Sequence, residues 1–436
     1  MAALAQRDMV QTVKEFRPAK ARTLSTFQQD TRKKTARLAG IQIPFWRDFK
    51  NGQGTINPVA GQTSFSRGNK QTTGAMYGGV AFRFMHLDLE STIMADMDRG
   101  FLPDSYVDLR RRAIETHMMK KNWAAIGDGS GAIAEVVSAV GSTLTLTVTN
   151  TARGTSKGSF RLQPSTAAEP LLYSAINTAT DTEVARFFIT AKPTLSTATL
   201  GTFSVGNLAA LNVAGLKIVE TNIGWKKEMI GLAGHISDAN RIYQGADTSV
   251  DTFLKNPVID AGNVAVTPTM IDSAKNIAMT RANDLDGRNG LIGHITPGNL
   301  SILAAFGYTS RTYNAEGGKA NTTFGLPDKY EDGDTVFAVD PDYEDGFIDF
   351  RETAPYFEYV QKEFGLHKTG GEGRHEWIGA NQAGSTESYE NYTENVNIVW
   401  DGRGKDGDRK GGGSPNSAVF IKNIALPPIK QASYGA

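Results

Sequence analysis

Six histidines are the first residues to test for chemistry: His86, His117, His235, His294, His367 and His375. Two imidazoles four residues apart on one helix face could clamp a metal ion, and HExxH would add a general base. No two of the six stand at that spacing, and HExxH does not occur. The acidic run DPDYEDGFIDFRE (340–352) has the density of a calcium loop without its register. With Gly346 in the sixth place, the first and third ligands fall on Pro341 and Tyr343. With Asp340 first, the glycine place is Asp345 and the bidentate acid is Arg351, so the run reads as an acidic turn. GDGSG (127–131) follows a helical pattern, whereas a phosphate cradle opens one. No GxxxxGK followed by Ser or Thr occurs, and Ser130 lacks the flanks of a nucleophile elbow. The absence of cysteine removes disulfides, a thiolate nucleophile and cysteine-ligated zinc. Acidic pairs are plentiful, but none is marked for acid–base work. The expectation is a structural or binding protein with no catalytic residue, metal or cofactor.

The chain that must position these residues has 436 of them, enough for two or three domains. Lys and Arg (46) balance Asp and Glu (46), so global charge points to neither nucleic acid nor membrane. No apolar run approaches the roughly 20 residues of a membrane span. MAALAQRDMVQTVKEF lacks the apolar core of a secretory signal, so the chain is expected to be made in a cytoplasm and to stay soluble there at first. The balance hides an asymmetry. Residues 1–50 carry eleven Lys/Arg against four Asp/Glu, with Arg32, Lys33, Lys34 and Arg37 clustered, whereas 326–363 carry twelve acids against three bases. Either both are solvated faces, or the basic arm meets a polyanion or the acidic segment of another copy.

Leu4, Met9, Val10 and Val13 suggest a short helix over 3–16 that could not stand alone. Residues 51–71, NGQGTINPVAGQTSFSRGNKQ, carry four glycines, two cations (Arg67, Lys70) and only Ile56, Val59 and Phe65 as large apolar side chains. This stretch can bury almost nothing of its own. Alternation at Val80, Phe82, Phe84 and His86 marks a strand, so 50–86 reads as a two-stranded excursion with a glycine-rich tip. Arms of about 15 residues would reach roughly 50 Å and need something to lie on. The strongest helix signal is PDSYVDLRRRAIETHMMKKNWAAIG. Ser105 and Asp108 suggest a capping box, Gly127 a stop, and Val107, Ile114, Met118 and Ala125 a core-facing stripe. Arg110, Arg111, Arg112, Lys120 and Lys121 are expected on the other face.

Residues 132–222 read as β-rich, with strands in STLTLTVTN, ARFFITAK and LKIVETN and a short helix near PLLYSAI. A mixed segment follows. Thr267 caps a helix bearing Met270, Ile271, Ala274, Ile277 and Ala278, and a second helix starts at Pro297 with Leu300, Leu303 and Ala304. Strands recur at DTVFAVDP, NVNIVW and SAVFIKNIA, and DGRGKDGDRKGGGSPNS reads as an exposed, mobile loop.

At the long helix and its exit, RRRAIETHMMKKNWAAIGDGSGAIAEV resembles the spine-helix region of tailed-bacteriophage major capsid proteins, whose helix ends in a turn like Asn122–Gly131. About 30 residues carry the motif; the order of parts extends the resemblance over most of the chain. It implies an α+β Hong Kong 97-like capsid fold. Its parts would be an N-terminal arm (1–49), an extended loop or β-hairpin (50–86) and the spine helix of a peripheral domain (87–131). A β-rich peripheral region or inserted subdomain (132–222), an axial α/β domain (223–394) and a C-terminal loop and return strand (395–436) would follow. The resemblance implies a non-enzymatic shell protein enclosing double-stranded DNA, located in the virion. Its partners would be other copies in hexamers and pentamers, a separate scaffold, portal and decoration protein, and packaged DNA touched non-specifically; no membrane is involved. Phe65, Arg67 and Lys70 would reach a neighbouring subunit, and Arg32, Lys33, Lys34 and Arg37 would serve the arm. The chain starts directly at the arm, so a fused scaffold-like segment is not expected. Some family members weld a loop lysine to a distant asparagine. Lys70 lies in the right kind of loop, but nothing marks a partner for it. The rival readings are a β-rich surface adhesin and a hydrolase with a scattered site.

Overall fold

The computed structural model describes residues 22–30, 41–46, 73–89, 103–140, 143–147, 162–168, 170–191, 194–195, 200–206, 215–221, 224–281, 291–310, 330–332, 335–353, 355–366, 388–400 and 417–425. In chain order, a one-turn helix α1 (Arg22–Ser25) precedes β1 (Gln28–Asp30), β2 (Ile41–Trp46), β3 (Thr73–Gly78) and β4 (Ala81–Leu89). The long helix α2 (Pro103–Ile126) follows, then β5 (Ala132–Val140), β6 (Thr143–Thr147), β7 (Tyr173–Asn177), β8 (Thr182–Ile189), β9 (Thr194–Leu195), β10 (Leu200–Gly206) and β11 (Lys217–Glu220). After a one-turn helix α3 (Leu232–His235) come the short strands β12 (Ile242–Tyr243) and β13 (Ala246–Asp247), then β14 (Val258–Val264), α4 (Pro268–Arg281), β15 (Leu291–Ile295) and α5 (Pro297–Ser310). The chain closes with β16 (Tyr330–Asp332), β17 (Thr335–Val339), β18 (Ile348–Glu352), β19 (Tyr356–Leu366), β20 (Ser388–Trp400) and β21 (Val419–Ile424).

Pro103 opens α2, where its missing N–H costs no intrahelical bond. Ser105 and Asp108, read as a capping box, therefore lie within the helix and not at its cap position. Gly127 ends the helix, its N–H donating to the Trp123 carbonyl at 3.0 Å. Ile114 and Met118 pack against Met85 of β4 and Tyr392 of β20. Ala124, Ala125 and Ile126 enter a larger core with Leu232, Tyr356 and Trp400. The segment before α3 lies directly on this end of α2: a Cβ on Gly231 would stand 2.3 Å from the Ala124 carbonyl oxygen, so only glycine permits the approach.

The sheet under α2 has the order β1-β19-β20-β4, with β1 parallel to β19 and the long strands antiparallel. The alternation read over 80–86 belongs here: β4 pairs along its length with β20. The two-stranded excursion is instead β2 with β3, from Ile41↔Gly78 at one end to Trp46↔Thr73 at the other, so its first strand lies in what was read as the arm.

Between α2 and residue 221 the chain closes on itself. The ring β6-β5-β11-β7-β8-β10 returns to β6 through the β10–β6 ladder, giving a six-stranded antiparallel barrel with β9 appended. Closure leaves no open edge in the ring. Its separate core holds Val136, Leu144, Leu146, Tyr173, Phe187 and Ile218. The helix expected near PLLYSAI is strand β7: Tyr173 to Ile176 are all buried between neighbouring strands, and this burial overrides the helical spacing.

A mixed sheet, β14-β21-β18-β15-β17-β16, forms a third core with α4 and α5. Thr267 caps α4 as its sequence predicts, with its hydroxyl oxygen accepting the Met270 N–H at 3.4 Å. Ile271, Ala274 and Ala278 are buried, as are Leu300 and Leu303 of α5. The expected limit between 394 and 395 falls inside β20, because β19 and β20 complete the sheet beneath α2.

Candidate functional site

Two of the cations expected on the outer face of α2 are inside the protein. Arg110 is buried and hydrogen-bonded to the Tyr392 hydroxyl. Lys121 is buried between two carboxylates, 2.7 Å from Glu358 of β19 and 2.7 Å from Glu394 of β20. Ile114, Met118, Lys121 and Ala125 repeat at helical spacing, so the core stripe itself carries the lysine. Arg111 and Arg112 are exposed as expected, and the partly exposed Lys120 reaches Glu220 at 2.8 Å.

From Lys121 a chain of charges crosses the molecule. The other oxygen of Glu394 meets His117 Nε2 at 3.0 Å and Arg83 Nε at 3.2 Å. Arg83 reaches Glu228 at 3.3 Å, and at the far end Gln29 of β1 donates to Glu358 at 3.1 Å. The chain ties β1, β4, α2, β19, β20 and the segment before α3. Burial alone would raise the Glu394 carboxyl, but Lys121, His117 and Arg83 hold it well below the usual carboxylate range. Burial lowers His117, only partly offset by Glu394. Neutral at pH 7, its Nε2–H donates to Glu394 while the ring stacks on Phe364. For Lys121, burial works against the charge, and the two glutamates outweigh it.

A second polar cluster holds α1. Asp340 accepts the Thr23 N–H at 3.0 Å, the Thr23 hydroxyl at 2.6 Å and the Asn122 amide at 2.9 Å. Asn122 accepts the Leu24 N–H at 2.9 Å, so the first residue of the motif at the α2 exit is a clasp for residues 22–24. Arg351 follows: it donates to Thr26 and lies 4.1 Å over the Phe27 ring, with burial pulling its guanidinium down to about 10. Asp340, Glu344, Asp345, Asp349 and Glu358 are all buried. These five of the twelve acids in 326–363 therefore do not form an outer acidic face.

At the Arg83–Glu228 end of the charge chain opens a groove of about 1890 Å³. Phe82 and Phe84 of β4, Lys120 of α2, Ile242 and Gln244 are among its walls. Phe82 is 58 %, Phe84 49 % and Ile242 69 % exposed. Gln244 and Gly245 turn the β12–β13 hairpin with φ of 46° and 82°, as a two-residue type I′ turn requires. The Gln244 carbonyl takes the Tyr77 N–H of β3 at 2.6 Å. The residue is only 4 % exposed, yet among the described residues neither amide atom has a hydrogen-bond partner.

Phe65, Arg67, Lys70, Arg32, Lys33, Lys34 and Arg37 lie outside the described residues, as do His367 and His375. Among the described residues no group of three His, Asp or Glu side chains could hold a metal ion. His235 is buried between the Tyr243 hydroxyl and the Ile398 carbonyl, and burial lowers its pKa to about 3. No helix among the described residues is long and apolar enough to cross a membrane.

No family model matches the chain, and no curated protein matches it. Solved structures do. The capsid subunit of cyanophage A-1(L) superposes over 93 % of both chains with a TM-score of 0.54 at 9 % identity. The fold is that of a phage capsid protein. The capsid of a native GTA particle (TM-score 0.46, 7 % identity, 94 % of this chain and 92 % of that one) is also similar. So is a chain of Gordonia phage Cozz (0.41, 9 %, 93 % and 88 %). The long helix, its sheet and the buried charge chain pack together as one body in this chain. The groove over Phe82, Phe84 and Gln244 lies on that body.

Proposed function

We propose that this chain is the major capsid protein of a tailed bacteriophage, assembling into an icosahedral shell around double-stranded DNA. The likeness to the cyanophage capsid subunit over 93 % of both chains carries the reading. Support also comes from the motif Asn122–Gly131 at the exit of α2. In the Hong Kong 97-like arrangement, α2 is the spine helix and the β1-β19-β20-β4 sheet its peripheral-domain partner. The mixed sheet with α4 and α5 is the axial domain, and the barrel is an insertion. Residues 47–72, between the paired ends Trp46 and Thr73, are the extended loop that lies on a neighbour through Phe65, Arg67 and Lys70. Copies group in hexamers and pentamers, and a separate scaffold, portal and decoration protein complete the particle. The mechanism is geometric: many modest interfaces, repeated by symmetry, hold the shell.

The test removes the loop. A chain lacking residues 54–70 is expected to give a folded subunit, by circular dichroism and thermal melt, that forms no stable particle where the intact chain does. Normal particles from the deletion would overturn the role of the loop.

A further inference from the structure

We propose that the six-stranded barrel is a hinged unit, turning about its neck at Gly131 and Gly224 and held in place by releasable polar contacts from Asp181 and Glu220. The barrel core shares no residue with the other cores. Ala132, Ile176 and Val219, the other buried apolar groups of the barrel, join no cluster. Among the described residues, therefore, no apolar cluster spans the junction, and such a junction leaves relative motion as the default. The neck shows where the motion begins. A Cβ on Gly129 would stand 3.1 Å from the Ile230 side chain, and one on Gly234 2.9 Å from the Asp128 carbonyl oxygen, so the exit of α2 sits fast on the body. The Lys226 N–H donates to the Ser130 carbonyl at 2.9 Å and ties the two chains of the neck together on that side. Beyond it, Gly131 has a φ of 75° on the outgoing chain and Gly224 a φ of 77° on the returning one. Glycine takes up and leaves this left-handed region without a Cβ penalty.

Two contacts bridge the hinge. From the turn between β7 and β8, Asp181 accepts the Trp225 indole N–H at 2.8 Å and the Lys226 ammonium at 2.7 Å. Those two donors, Lys226 first, hold its carboxyl below the ordinary range. From the end of β11, Glu220 accepts Lys120 of α2 through both oxygens, at 2.8 and 3.1 Å. Both pairs meet water: the Lys226 and Asp181 side chains are 58 % and 49 % exposed, and Lys120 is 36 % exposed. An exposed ion pair favours its closed form by a factor of at most about five, so two of them hold the barrel without fixing it. Lys120, Glu220 and Lys226 also line the groove, and the swing of the barrel reshapes that wall. In a shell built of five- and six-membered rings, copies meet their neighbours at different angles, and a hinged barrel absorbs the difference. The motion itself belongs to the free subunit, whether or not it builds a shell.

The chain has no cysteine, so Val184→Cys on the barrel and Val250→Cys on the body can carry a pair of nitroxide labels without background; both positions are exposed. Electron–electron resonance on the full-length free subunit then reads the distance between barrel and body. One dominant distance is expected in low salt. Asp181→Ala combined with Glu220→Ala should raise the population at other distances about tenfold, with the far-UV circular dichroism unchanged. Asp181→Asn, which keeps an acceptor for Trp225 and drops the ion pair, should fall between. Salt at about 1 M, where the screening length is about 3 Å, should act in the same direction on the unsubstituted latch. A single unchanged distance in the double variant and in high salt would show a rigidly docked barrel and overturn the hinge. A distribution already broad in low salt, and indifferent to both changes, would overturn the latch. If the double variant fails to fold, the salt series decides by the same two criteria.

Discussion

At Lys121 the residue type and the spacing disagree, and the spacing is right. Cations on a helix are usually solvated, so Lys121 reads as surface even though Ile114, Met118 and Ala125 share its stripe. What hid its position was the location of its partners: Glu358 and Glu394 are more than two hundred residues away in sequence. Replacing Lys121 by Ala takes the shared cation from two buried carboxylates and should cost about 3–5 kcal/mol of subunit stability. Ile114→Ala should cost about 2–5 kcal/mol, while Arg111→Ala, 61 % exposed beside Glu115, should cost under about 1 kcal/mol. Urea midpoints of unassembled subunits check all three; equal small losses would deny α2 its place in the core. The same groups set the response to acid. His117 and His235 have lowered folded pKa values, so the unfolded chain binds protons that the native one refuses once pH falls below about 6.5. Glu394 is also depressed; its contribution is complete above about 4.3 and is lost as pH falls through its folded value. Midpoints should therefore decline from about pH 6.5 downward. A flat profile to pH 4.5 would contradict this account of the two histidines.

Among the elements, long periodic signals were legible and short ones were not. The stripe of α2, the Thr267 cap and the strands around Leu144, Val336 and Phe420 are visible because their patterns persist over several residues. PLLYSAI is short and apolar, and such runs do not distinguish helix from strand; burial on both sides makes it β7. The hairpin was misplaced because Ile41–Trp46 includes Pro44, which weakens a strand signal, and follows a cationic run. Barrel closure is not legible at all, since the β10–β6 ladder pairs residues more than fifty apart. The barrel leads to a prediction at this scale. Its first and last strands pair at Val219↔Ala132, so its ends meet, and its core is separate. Residues 131–221 expressed alone should fold and melt cooperatively by circular dichroism. A non-cooperative, protease-sensitive product would show that the barrel depends on the body of the subunit.

For the whole molecule, the capsid fold was readable from one motif, whereas the use of charge was not. A count of acids over 326–363 suggests a surface, but the structure directs Asp340 to α1, Asp349 to Tyr343 and Glu358 to Lys121. Asp340, Asp349 and Glu358 are thus not open to another copy, and of the two partners proposed for Arg32, Lys33, Lys34 and Arg37 the one put to test is the phosphates of packaged DNA. Neutralising all four should leave empty shells intact and make DNA retention less sensitive to salt, because fewer counterions are displaced. Loss of the empty shells would return the arm to a protein neighbour. The central claim is assembly itself. Purified protein, alone and with a co-expressed scaffold, should show closed shells or rings of five and six subunits by negative-stain electron microscopy. Dispersed monomers or small oligomers under every such condition would contradict the account.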